Sequence, residues 1–523
     1  MNIDNEIKNV SPIVEMTRDF VMRNGGSQEQ ADICGRVLEK QPEGSVCIEI
    51  CESEAALLKE LPFVSVAPDD KGLFIVHGTL LYTRRNWKYE QCVKERILEM
   101  AGQQQSDAIQ IPADGAYSAL KQCQRNALEL MCTRHFSIVT GGPGTGKTYT
   151  IARAVKLMLD KNPDLKIGIA APTGKAAARV GESMEQQAQQ LQLQLENKLQ
   201  TSTIHTLLGA EYDFVTFKHN QSNPLELNWL IVDEASMIDL PLMAKMLQAL
   251  PKDCRLTLVG DANQLASVEM GRVFGDLCRM PQLATSIAKL NESSRFPQGG
   301  EIDRLSEAVK NGDSESALRV LHDPGNALIH CYNPTDAASL NAKIQELFGE
   351  RFAGQTTVEG ALETINDCRI LCAVRMGPYG CEKLNAKAMK LLGEKCPVPV
   401  MITKNNRSLQ VNNGDVGVIM PKDQDSFWMP KGNGKATSLP MELLPDRETS
   451  FAITIHKSQG SEYKDVIIVL PPLAESGNAV SLLTREILYT AITRTVKQVF
   501  IFADDETIRQ CCENEIHRVT GLK

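Results

Sequence analysis

Residues Gly141-Gly142-Pro143-Gly144-Thr145-Gly146-Lys147-Thr148 follow the apolar run Phe136–Val139 and fit the pattern GxxxxGK[ST]. That order asks for a buried strand, a glycine-rich turn and a helix beginning near Lys147. Glycines let backbone N–H groups close around phosphate oxygens, and the helix adds the positive end of its dipole. On this reading Lys147 neutralises the β and γ phosphates of ATP, and Thr148 sets its hydroxyl on Mg²⁺.

The surrounding texture fits a parallel sheet. SIVTGG, KIGIAAPTG, WLIVDEAS and RLTLVGD are short, nearly continuous apolar strands separated by helical patterns. The same alternation returns at RILCAVR, FAITIHKSQG, DVIIVLP and VFIFAD, so an α/β fold with two parallel-sheet domains is expected. Boundaries fall near 113–300 for the first, and 301–395 plus 448–523 for the second. Between them, 396–447 reads as a small β insertion with NNG and GNG turns. Residues 1–112 read as a separate α+β unit, with helices near Ile13–Met22 and Gln28–Leu38. In that unit LYTRRNWKYEQCVKERI is a strand running into a helix, and AGQQQSDAIQIPADGAYS follows as a linker. The Gln-rich tract from Glu185 reads as a solvated helix or loop.

Further candidates lie at strand ends, where active sites of such sheets form. Leu230–Val232 runs into Asp233-Glu234; Asp233 would hold the Mg²⁺ shell and Glu234 would orient the attacking water. Leu256–Val259 runs into GDANQL, whose Gln264 could contact the γ-phosphate and report its loss. Arg295 in LNESSRF and Arg494 in LYTAITRT are candidates for the positive charge that phosphoryl transfer needs.

Other classes are excluded or disfavoured. No stretch approaches 18 consecutive apolar residues, and the N-terminus MNIDNEIKNV lacks a secretory apolar core, so a cytosolic chain without a membrane span is expected. Fifteen cysteines without a CxxC support neither a disulfide scaffold nor a zinc site.

The ordered series GGPGTGKT, APTGKAAAR, TSTIHTLLG, VDEASM, GDANQL, ESSRF, TIHKSQGSEY and LYTAITRT resembles superfamily-1 DNA helicases of the RecD type, from about Gln124 to the C-terminus. LYTRRNWKYE also resembles a segment of the α subunit of exodeoxyribonuclease V, the RecBCD complex. The resemblance implies two RecA-like motor domains with ATP in the cleft and single-stranded DNA across the top. It further implies a small β-barrel inserted in the second motor domain. Gln124 would read the adenine, Glu462 would hold the ribose, and Arg295 and Arg494 would be arginine fingers. Pro172, Thr173, Lys175, Thr203, His205, Thr454, His456, Lys457, Ser458 and Gln459 would contact DNA or couple it to the nucleotide.

EYDFVTFKHNQSNPLELN has strand–turn–strand chemistry; it is either a strand-separating hairpin or a plain structural one. The implied activity is 5′–3′ unwinding from single- and double-stranded DNA ends, in repair and recombination, beside RecB- and RecC-like subunits in a heterotrimer. A self-sufficient RecD-like helicase is the alternative, although 523 residues leave no room for the long N-terminal extension of such proteins. No nuclease constellation stands apart from the motor motifs, which puts any nuclease on a partner. A nucleotide switch that does not unwind, and an RNA helicase, remain as lesser readings.

Charge adds a location. The net −9 seems to oppose DNA binding, yet residues 1–112 hold 12 Lys and Arg against 18 Asp and Glu. The remaining 411 residues carry only −3. The acid excess therefore sits outside the motor motifs and suits a protein-docking module better than a DNA grip.

Overall fold

The computed structural model describes residues 11–522 except 70, 104–108, 194–198, 211–215, 293–294, 296–298, 354, 356, 407 and 432–434. The chain opens with helices α1 (Pro12–Arg23) and α2 (Gln28–Lys40), the latter closed by a capping box. Ser27 Oγ accepts from Gln30 N while Gln30 Oε1 accepts from Ser27 N. β1 (Cys47–Glu49) precedes α3 (Glu52–Leu58), and with β2 (Val64–Val66), β3 (Phe74–His77) and β4 (Leu80–Thr83) it forms a sheet ordered β1-β4-β3-β2. Only β2 and β3 run parallel in it.

β4 passes directly into α4 (Arg84–Gly102), which buries Trp87, Glu90, Val93, Ile97 and Met100 along one stripe. This stripe serves two partners. Val46, Ile75, Tyr82, Trp87 and Ile97 belong to the same continuous core as Met243, Leu247, Leu256 and Phe274. Arg96 also donates to Pro251 O at 2.9 Å. The N-terminal unit has its own sheet but shares its core with the neighbouring domain, so it does not stand apart from it.

The next sheet holds β5 (Phe136–Gly141), β6 (Ile167–Ala171), β7 (Leu199–Thr203), β8 (Trp229–Val232), β9 (Arg255–Gly260) and β10 (Ile287–Leu290). Its order is β10-β5-β9-β8-β6-β7 and every pair is parallel. β6, β8 and β9 are buried at every position, as strands covered on both faces must be. Helices α5 (Gln122–Thr133), α6 (Lys147–Lys161) and α7 (Gly174–Gln190) connect and cover them. α7 takes up the start of the Gln-rich tract; residues 194–198 of that tract lie outside the described residues. Of the expected hairpin, 211–215 also lie outside them. Elsewhere in that segment the described residues form two isolated antiparallel bridges, Ala210 to Phe217 and Asn220 to Asn223, and no regular strand.

A second all-parallel sheet joins β11 (Ile329–Tyr332) and β12 (Cys368–Cys372) to three later strands. Before those come β13 (Val398–Ile402), β14 (Val416–Met420), β15 (Asp423–Pro430), β16 (Ala436–Pro440) and β17 (Arg447–Thr449). These five make an antiparallel sheet ordered β16-β15-β14-β13-β17, with no pairing between its end strands among the described residues. β18 (Ala452–Thr454), β19 (Tyr463–Val469) and β20 (Thr495–Phe502) then complete the order β11-β20-β19-β12-β18.

Beyond the helix Asp505–Glu513 the chain returns as a strap. Glu515 pairs with Arg272 at 3.2 Å and Arg279 at 2.6 Å, and Arg518 donates to Gly271 O at 2.8 Å. Val519 O accepts from Val46 N at 2.9 Å, and Leu522 is buried in the N-terminal core. Glu90, 1% exposed, receives Tyr82 OH at 2.8 Å, Thr520 Oγ1 at 3.0 Å and Gly521 N at 2.9 Å. Among the described residues no helix is long and apolar enough to cross a membrane.

Candidate functional site

The parallel register puts the ends of β5, β6, β8 and β9 along one edge of their sheet, facing the second parallel domain. β5 delivers the glycine-rich loop. A side chain at Gly141 would lie 2.9 Å from Leu290 Cβ and O, and Gly146 has φ +81°, where only glycine sits without strain. Lys147 Nζ rests on Gly141 O at 2.7 Å and Gly142 O at 3.2 Å, inside the cradle. Pro143 to Thr148 line a cavity together with Asp233, Glu234, Gln264, Arg295, Glu462 and Arg494. The structure thus brings most of the expected nucleotide residues to one place.

β8 ends in the two acids. Asp233 Oδ1 accepts from Glu234 N at 2.9 Å, and Glu234 adopts φ +51°, a left-handed conformation rare for a side-chain-bearing residue. Burial raises the Asp233 pKa above the ordinary range, and the Glu234 charge adds to this, while Lys147 opposes it. A carboxylate so placed gains from a cation.

Among the described residues no cluster of three or more His, Cys, Asp or Glu could hold a metal. Thr148 and Asp233 offer one hydroxyl and one carboxylate on the cavity wall. That partial set fits Mg²⁺, which keeps several waters and takes its remaining oxygens from phosphates.

β9 leads to Asp261, 1% exposed, whose Oδ2 accepts from Gln264 Nε2 at 3.2 Å and from Tyr489 OH at 3.1 Å. Tyr489 belongs to the helix Arg485–Thr493 of the second parallel domain. Thr490 Oγ1 of the same helix accepts from Leu265 N at 3.0 Å, and Gln459 Nε2, from the turn after β18, donates to Leu265 O at 2.8 Å. Arg494 is 2% exposed and donates to Thr490 O and Ser461 O. Arg295 donates to Thr493 O at 3.2 Å and pairs with Glu462 at 2.5 Å. Arg179 of α7 pairs with the same carboxylate oxygen. Burial alone would raise the Glu462 pKa, but the Arg179 and Arg295 charges outweigh it and hold it at about 2.

Some residues are placed differently from expectation. Gln124 is buried behind the loop, accepting from Lys121 N and donating to Thr145 O at 3.1 Å; it is not among the residues lining the cavity. Ser458 is fully buried with its hydroxyl on Ile455 O, and Gln459 is 7% exposed against Leu265. Neither faces outward, so of contact and coupling the geometry fits coupling for both.

The other backbone-gripping candidates sit nearer the surface. Pro172, Thr173 and Lys175 stand at the start of α7, which Thr173 caps through Ala176 N at 3.2 Å. Thr203 caps the short helix Ile204–Leu207, and burial lowers the His205 pKa. Thr454 closes β18, burial likewise lowers the His456 pKa, and Lys457 pairs with Glu448 at 2.6 Å.

Arg179, Asp261 and Tyr489 were not among the residues singled out from the sequence, although each lies inside or beside a recognised motif. Their partners are on the other domain, which no local pattern reveals.

Residues 124–270 match the family described as AAA domain, and 449–502 match the UvrD-like helicase C-terminal domain. The chain is 35% identical over 470 residues to the RecBCD enzyme subunit RecD of Mycolicibacterium smegmatis, covering 85% of this chain and 82% of that protein. It is 32% identical over 517 residues to the RecBCD enzyme subunit RecD of Mycobacterium tuberculosis, covering 92% and 88%. Against the ATP-dependent RecD2 DNA helicase of Deinococcus radiodurans identity is 29% over 419 residues, 74% of this chain but 51% of that protein.

Proposed function

The chain belongs to the RecD family, and from that premise we propose that it is the ATP-dependent 5′–3′ DNA helicase motor of a RecBCD-type complex. In that role it acts in the cytoplasm, in double-strand-break repair and homologous recombination. The observation that carries this reading is the cavity itself. It is walled by Lys147, Asp233, Glu234 and Gln264 from one parallel domain and by Glu462 and Arg494 from the other, with Arg295 at their junction. A site divided in this way makes hydrolysis depend on closure and makes closure respond to hydrolysis.

The triphosphate lies along the loop from Gly141 to Thr148, drawing Lys147 off the carbonyls it now occupies. Thr148 and Asp233 would hold Mg²⁺, which neutralises charge on the β and γ phosphates. Glu234, fixed by its left-handed backbone, orients the attacking water. Arg295 and Arg494 face the charge that builds on the γ-phosphate, and Glu462 takes the ribose. Gln264 reads the γ-phosphate and passes its loss to Asp261. Pro172, Thr173, Lys175, Thr203, His205, Thr454, His456 and Lys457 grip the DNA backbone, which carries no base information, so sequence preference is weak. The two parallel domains are the RecA-like motors, and the antiparallel sheet over 398–449 is the candidate for the small barrel that the resemblance implies.

Residues 1–112 are the docking face for RecB- and RecC-like subunits. Their acid excess and the exposed Ile13 and Met16 of α1, at 57% and 71%, support this. Nuclease activity belongs to a partner.

Lys147→Ala tests the site: ATPase and unwinding disappear while the circular dichroism spectrum is unchanged. Retained DNA-stimulated ATPase would overturn it. Duplexes with single 5′ or 3′ tails test polarity, and the subunits that co-purify with the chain test the complex. Equal stimulation by RNA would redirect the substrate reading.

A further inference from the structure

The cavity holds an arginine that the proposed mechanism leaves unused. Arg179 projects from α7 and lines the same cavity as Arg295 and Arg494. It reaches across the cleft twice, donating to Gly460 O at 3.2 Å and pairing with Glu462. The loop it meets lies close, since a side chain at Gly460 would stand 3.6 Å from Ala176 Cβ.

Arg179 and Arg295 share one oxygen of Glu462, so a single negative charge serves two guanidinium groups. The Glu462 side chain is 25% exposed and that of Arg295 only 10%. For Arg295 to act on a γ-phosphate it must give up this carboxylate. A partly buried carboxylate abandoned by its only cation would resist the exchange, because an uncompensated charge of that kind is strongly unfavourable. With a second guanidinium already in place, the carboxylate stays paired when the first one leaves.

We propose that Arg179 is a positioning residue for the finger Arg295: it keeps Glu462 paired, so that Arg295 can leave that carboxylate for the γ-phosphate. The inference rests on the ATP-site reading above. In the absence of Arg179, the whole charge of Glu462 falls on Arg295 and holds it away from the nucleotide.

The test is a double-mutant cycle on the full chain by itself, with ATP and single-stranded DNA, so that the ATPase read is this chain's own. Arg179→Ala should lower kcat about tenfold with KM for ATP little changed, and Arg179→Lys, which keeps the charge, should recover part of the loss. In a Glu462→Gln background the carboxylate charge no longer holds Arg295, so adding Arg179→Ala should cost less than about threefold in kcat. An equal loss of kcat in both backgrounds, or no loss in the native one, would overturn the proposal. Failure of the underlying reading looks different: the unmodified chain would then show no ATPase that Lys147→Ala removes.

Discussion

Tyr489 donates its hydroxyl to Asp261 across the cleft at 3.1 Å, onto the same oxygen that receives the amide of Gln264. A side chain of one domain and the candidate phosphate-reading glutamine of the other thereby share one acceptor. Tyr489→Phe removes a hydrogen bond to a carboxylate, worth about 1.5–3 kcal/mol. We expect ATP hydrolysis to persist and unwinding to fall several-fold more than ATPase. Base pairs separated per ATP consumed is the quantity to measure, and an unchanged ratio would show that the bond transmits nothing.

Gly146→Ala should damage nucleotide binding. Its φ of +81° is unfavourable for alanine by about 1–2 kcal/mol, and the new methyl would stand 2.5 Å from Gln124 Nε2. Titration with a fluorescent ATP analogue should show affinity reduced by about tenfold or more.

Lys175 offers a separate check on the DNA track. If its ammonium meets a phosphate, Lys175→Ala should weaken single-stranded DNA binding equally for all sequences. The slope of log affinity against log salt should also fall by about one. Anisotropy titrations over a range of salt concentrations give both numbers. A loss confined to one sequence would contradict backbone contact.

The Arg179–Glu462–Arg295 cluster predicts a pH signature. The Glu462 pKa is about 2 in the folded chain against an ordinary 4.5, so its stabilisation is complete above the ordinary value and disappears as pH falls toward 2. Melting curves of the native chain and Glu462→Gln should differ by a constant amount from pH 5 to pH 8. The gap should begin to narrow below about pH 4.5 and close only as pH approaches 2.

Glu90 anchors the C-terminal strap. Glu90→Ala leaves the donors of Tyr82, Thr520 and Gly521 without their acceptor, at a cost of about 1–3 kcal/mol for each one that stays buried. Hydrogen exchange should accelerate over 515–522 and 80–100 while ATP affinity holds. Unchanged protection of the strap would show that its apolar contacts suffice.

Much of this was legible because burial writes itself into composition. Strands β5, β6, β8 and β9 carry apolar residues on both faces, and the glycine-rich loop marks the end of the first. β7 went unread, because LQTST is a polar edge strand at which no position is fully buried. The shared core of α4 was also hidden: a stripe of Trp87, Val93 and Ile97 declares a buried face without declaring how many neighbours bury it. Arg179 and Gly460 lie 281 residues apart, and their bond exists only because two sheets face each other. For Ser458 and Gln459 the motif left contact and coupling open, because a polar side chain can face DNA or be buried on an internal acceptor, as both of these are.

The strap also orders events in time. Thr520 and Gly521 reach Glu90 from 430 and 431 residues downstream. On a ribosome adding 5–20 residues per second, that interval lasts on the order of 20–90 s. Through it the N-terminal core waits with the places of Val519 and Leu522 unfilled, while both motor sheets are still being made. The N-terminal core is thus closed only by residues made after both sheets, so its completion requires that everything between has been synthesised.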